Sequence, residues 1–153
     1  ATALGVLGFF NMIGTWISGW LGDRYRRKYI LALLYFFRSL LFMIFILLPI
    51  SPWSVYVFAA SIGLLWLATV PLTNALVGQL FGLKYLATLA GIVFCSHQLG
   101  SFASIWLGGY LYDSTGSYTL VWQIAIALGV VAALLHLPIN ETATAPEPAP
   151  AAE

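Results

Sequence analysis

Five apolar runs, at residues 2–22, 29–50, 53–81, 85–112 and 118–139, fill this chain almost from one end to the other. A helix rises 1.5 Å per residue, so about 20 apolar residues cross the roughly 30 Å of hydrocarbon in a bilayer. Each run is long enough to span. A water-soluble globule would need a charged surface of about 25% Asp, Glu, Lys and Arg, whereas this sequence has 7% charged and 61% hydrophobic residues and a mean hydropathy of +0.95. These features predict an all-α membrane protein with five transmembrane helices in one helical domain, residues 1–139. Pro71 predicts a kink in the third span, because proline removes a backbone donor and crowds the preceding turn. The closing segment 140–153, NETATAPEPAPAAE, has too little apolar surface to fold and reads as a disordered tail.

The placement of charge sets the topology. Arg24, Arg26, Arg27 and Lys28 follow the first span and Lys84 follows the third, while the other two loops contain no Lys or Arg. Basic loops stay in the cytoplasm, so both loops and the C-terminal tail are expected there, with residues 113–117 outside. Residues 1–22 have no basic leader and are no signal peptide; the chain is expected to begin inside a longer one. The single Cys95 excludes a disulfide within the chain.

Orientation accounts for the basic residues of GWLGDRYRRK, residues 19–28, but not for its carboxylate or its glycines. The stretch resembles the loop motif of major facilitator superfamily transporters, in which a Gly, an Asp four residues on, a basic residue next and a closing basic pair join two antiparallel helices. Gly19, Asp23, Arg24, Arg27 and Lys28 match it; Arg26 stands where that pattern usually has Gly. The resemblance implies a two-half fold of twelve helices around a central cavity, with the present spans as helices eight to twelve. These would be most of one six-helix half, and the first seven helices would be missing. It implies that Asp23 helps hold a cytoplasmic gate closed against the fifth helix of the absent half. Residues 71–113 are similar in texture to bacterial members of the monocarboxylate-transporter type, which implies a bacterial inner membrane location.

Small residues recur every four positions at Gly14, Ser18 and Gly22 in the first span and at Ser96, Gly100, Ser104 and Gly108 in the fourth. Such rows let helix backbones approach closely in lipid. An ionisable group inside a span is a functional candidate by default. Arg38 lies ten residues beyond Lys28, about 15 Å into the membrane; it is either structural, paired with a helix end or carbonyls or snorkelling to the interface, or an anion-binding group. By the resemblance the eighth, tenth and eleventh helices face the cavity, which makes Asn11, Thr73, Asn74, His97 and Gln98 further candidates for substrate contact. For His97 an interhelical hydrogen bond is the alternative.

The sequence has no HExxH, GxSxG, metal-ligand spacing or glycine-rich phosphate loop, so no enzyme, cofactor, metal or nucleic-acid partner is expected. The expected function is that of a fragment of a secondary active transporter for a small solute, an organic anion being one candidate. Its expected partners are the bilayer, the missing half and the solute. A non-catalytic five-span subunit that binds a partner through its small-residue rows is the alternative of a different class.

Overall fold

The computed structural model describes residues 2–142. Six helices follow one another: α1 (Thr2–Gly22), α2 (Arg27–Leu47), α3 (Pro52–Trp66), α4 (Thr69–Phe81), α5 (Leu86–Thr115) and α6 (Thr119–His136). They make five membrane spans, because α3 and α4 are two parts of one, Pro52–Phe81. The protein is therefore a multi-pass membrane protein, all-α among the described residues.

Local chemistry sets where the spans stop. Ser51 starts α3 with a capping box: the Ser54 amide donates to Ser51 Oγ at 3.1 Å, the Ser51 amide donates to Ser54 Oγ at 2.8 Å, and Pro52 occupies the first turn, where no amide partner is lost. Gly116 ends α5 at φ +68, a left-handed conformation that side chains disfavour, and its amide reaches the Tyr112 carbonyl at 2.7 Å. The expected kink of the third span is an interruption. Pro71 has no amide for the Leu67 carbonyl four residues back, and its ring crowds that carbonyl. The helix stops at Trp66, the Leu67 carbonyl takes the Val70 amide instead at 3.1 Å, and the path resumes at Thr69.

Two helix pairs form the body of the bundle, α1 against α3 and α2 against α6. Both rest on small residues. A Cβ added at Gly14 would lie 2.0 Å from the Leu64 carbonyl oxygen, and one at Gly63 would lie 2.5 Å from that of Leu7, so these backbones touch directly. At Gly129 an added Cβ would lie 2.1 Å from Ser39 Oγ, which is buried and bonded to the Tyr35 carbonyl. Towards the basic end the core is Leu31, Leu72 and Leu76, with Ile30, Leu34, Leu80 and Ile139 packed around it. Nearer the other end Phe42, Phe45, Phe58 and Trp122 cluster, Phe45 and Phe58 stacking at 4.1 Å. The fourth span stands apart. α5 touches α4 and α6 only along short stretches, and residues 91–100 are exposed throughout.

Candidate functional site

Two groups of polar contacts stand out, one at the interruption of the third span and one at the basic end. At the interruption, helix geometry leaves the carbonyls at the end of α3 without amide partners, a state that hydrocarbon penalises. Arg38, from α2, fills the need: its Nη2 donates to the Leu65 carbonyl at 2.6 Å and to the Trp66 carbonyl at 3.0 Å. Its guanidinium lies over the Tyr35 and Trp66 rings, 5.3 and 5.2 Å from their centroids. A cation at the negative end of a helix is favourable, so the end of α3 supplies the counter-charge Arg38 needs. Asn11, from α1, completes the junction by accepting the Leu67 amide at 3.0 Å through Oδ1. Three spans thus meet at residues 65–67.

At the basic end, Arg24, Arg27 and Lys28 each have a partner within the chain. Arg24 lies over the Trp20 ring at 3.9 Å. Arg27 Nη1 donates to Gln79 Oε1 near the end of α4 at 2.5 Å, and Gln79 Nε2 donates to the Glu141 carbonyl at 2.7 Å. Lys28 Nζ donates to the carbonyls of Leu137 and Ile139 at 3.1 and 2.8 Å, and its amide donates to the Glu141 carboxylate. The loop therefore clasps the segment after α6 as well as the third span. Glu141 lies in the segment read as a disordered tail; that expectation for residues 143–153 falls outside the described residues. The Asp23 amide closes the last turn of α1 on the Gly19 carbonyl at 3.2 Å, while its exposed carboxylate makes no hydrogen bond or ion pair among the described residues.

The other candidates are not gathered with these. Thr73 Oγ1 bonds back to the Thr69 carbonyl at 2.8 Å, and Asn74 is exposed on α4. His97 and Gln98 are exposed on α5, the His97 ring 6.3 Å from Phe94. The two small-residue rows also differ. Gly14, Ser18 and Gly22 are buried, Gly14 against Leu64 and Gly22 against Leu72. In the second row only Gly108 is buried, beside Val121; Ser96, Gly100 and Ser104 are exposed.

Sequence reasoning missed Gln79 and the role of Glu141. Gln79 carried a signal, being a polar side chain on the last turn of an apolar span that ends beside a basic loop.

The family model of the Major Facilitator Superfamily matches residues 1–153. The chain belongs to this superfamily. Among major facilitator relatives, the uncharacterized MFS-type transporter YcxA of Bacillus subtilis (strain 168) is 29% identical over 139 residues, 88% of this chain and 34% of YcxA. Monocarboxylate transporter 12-B of Danio rerio is 30% identical over 129 residues, 82% of this chain and 27% of that protein. This major facilitator chain thus spans about a third or less of the length of these relatives. No solved structure matches it.

Proposed function

We propose that these five spans are helices eight to twelve of a secondary transporter that moves a small solute, an organic anion by preference, through alternating access between two halves. The observation that carries the reading is the state of Asp23. Its neighbours Arg24, Arg27 and Lys28 are all engaged within the chain, whereas the Asp23 carboxylate is exposed and unpartnered among the described residues. A free carboxylate at the end of a span suits a latch whose other part, the positive end of a helix, lies in the other half of the transporter. Membership of the superfamily and similarity to a protein named as a monocarboxylate transporter support the solute class.

Of the two roles weighed for Arg38, its contacts support the structural pair. Substrate contact falls instead to Asn74, His97 and Gln98, whose exposed side chains lie on the spans assigned to the cavity side.

The test is uptake of labelled monocarboxylates and neutral solutes by the complete protein in proteoliposomes. Asp23→Asn should weaken the latch by about 0.3 to 2 kcal/mol, shifting the population towards the inward-open state and lowering uptake while expression stays near normal. Unchanged uptake and unchanged gate accessibility would reduce the motif to a topology anchor.

The proposed orientation places the basic end in the cytoplasm, at a bacterial inner membrane. Single cysteines at positions 115 and 142 in a Cys95→Ser parent check it: an impermeant reagent on intact cells should label 115 and spare 142. Equal labelling would reverse or abolish that assignment.

A further inference from the structure

Arg24 and Arg26 take no part in the clasp. Arg24 lies on Trp20, Arg27 on Gln79 and Lys28 on the carbonyls of Leu137 and Ile139, while the exposed Arg26 side chain has no partner among the described residues. It lines an open groove that runs from the loop along one face of α2, together with Tyr25 and Tyr29, 63% and 47% exposed. The rest of the lining, Leu21, Ile30, Leu33, Leu34 and Phe37, is apolar. We propose that this groove binds an anionic glycerophospholipid, with its phosphate on Arg26 and one acyl chain lying along Leu33 and Phe37.

Dimensions, polarity and charge agree on that occupant. From Arg26 to Phe37 is eleven helical steps, about 16 Å, which is half of the roughly 30 Å hydrocarbon layer and so the depth of one leaflet. Tyrosine prefers the headgroup level, with its ring in the apolar region and its hydroxyl in the polar one. An unpaired guanidinium there offers two parallel donors to a phosphate, and basic pockets between membrane helices hold anionic headgroups. Four basic residues stand here against the two carboxylates of Asp23 and Glu141, so the local field also favours an anion. The inference concerns the leaflet at the basic end and holds for either orientation of the chain.

The experiment is competitive photolabelling of the complete protein in nanodiscs containing equal amounts of phosphatidylglycerol and phosphatidylcholine, one of the two bearing an acyl-chain diazirine in each run. Cross-linked peptides from residues 21–37 are quantified by mass spectrometry. One basic residue near the surface favours an anionic lipid by about fivefold, so labelling by phosphatidylglycerol should exceed that by phosphatidylcholine by about that factor. Arg26→Gln should bring the ratio close to one without changing the melting temperature, and Arg26→Lys should keep most of the preference. Equal labelling of the unmodified protein, an excess that survives Arg26→Gln, or no labelling of residues 29–37 because another segment covers the groove would each overturn the proposal.

Discussion

Gly14→Ala is expected to force α1 away from the third span. The added Cβ would lie 2.0, 2.6 and 2.8 Å from the carbonyl oxygen, carbonyl carbon and Cα of Leu64, all of them backbone atoms. No side chain can rotate out of the way, so two helices must separate, and separation in lipid forfeits the close packing that holds them. Overpacking in cores costs about 1 to 3 kcal/mol, occasionally more, and a backbone obstacle puts this site at the upper end. Gly100→Ala is the control, because a Cβ there meets nothing within 4 Å. Titration into denaturing detergent, followed by circular dichroism, should show the Gly14 variant unfolding early and the Gly100 variant unchanged. Equal behaviour would mean that the α1 and α3 backbones are not in contact.

Arg38→Leu should affect stability and insertion in opposite directions. A leucine at this depth removes an insertion penalty of about 2.5 to 3.5 kcal/mol, so α2 should enter the membrane at least as readily. The carbonyls of Leu65 and Trp66, however, lose their donors. Polar contacts between membrane helices are worth about 0.6 kcal/mol on average and up to about 1.7 each, which for two bonds suggests a local loss of about 1 to 2 kcal/mol. Hydrogen exchange should therefore quicken roughly 5- to 30-fold at the amides of residues 67–70, with far less change in α6. Asn11→Ala should loosen the same amides, and the double variant should fall short of additive, because both side chains hold one junction. If Arg38 instead supplied the counter-charge for an anionic substrate, exchange would stay as it was and the KM for a carboxylate would rise.

What sequence could and could not convey follows from the range of each interaction. The spans are properties of single segments, so hydropathy alone marks five of them, and the ends differ by only a few residues where Ser51 and Gly116 act as caps. Pro71 also acts locally, and counting back four residues to Leu67 locates the interruption it causes. The stitching of that interruption was not legible, because nothing in α1 or α2 says that Asn11 and Arg38 face residues 65–67. That depends on helix rotation fixed by contacts such as Gly14 on Leu64. The spacing of four marked both small-residue rows equally well but could not show that one closes within the chain while most of the other remains exposed. The clasp was hidden for a different reason: Glu141 lies in a segment whose composition reads as unstructured, yet the Lys28 amide and Gln79 hold it, Gln79 in turn bonded by Arg27.

The pairing of α2 with α6 also sets a timetable. Ser39 and Gly129, which meet at that contact, are 90 positions apart in the chain, and a ribosome adding about 5 to 20 residues per second needs roughly 5 to 20 s to make the intervening segment. Over that interval α2 sits in the membrane with its α6-facing side uncovered, and neither the carbonyls of Leu137 and Ile139 nor the Glu141 carboxylate exists to meet Lys28. The clasp thus closes later than the contacts within residues 1–136. It forms only once residues 137–141 have been made, so its closure reports that the chain has been extended past α6.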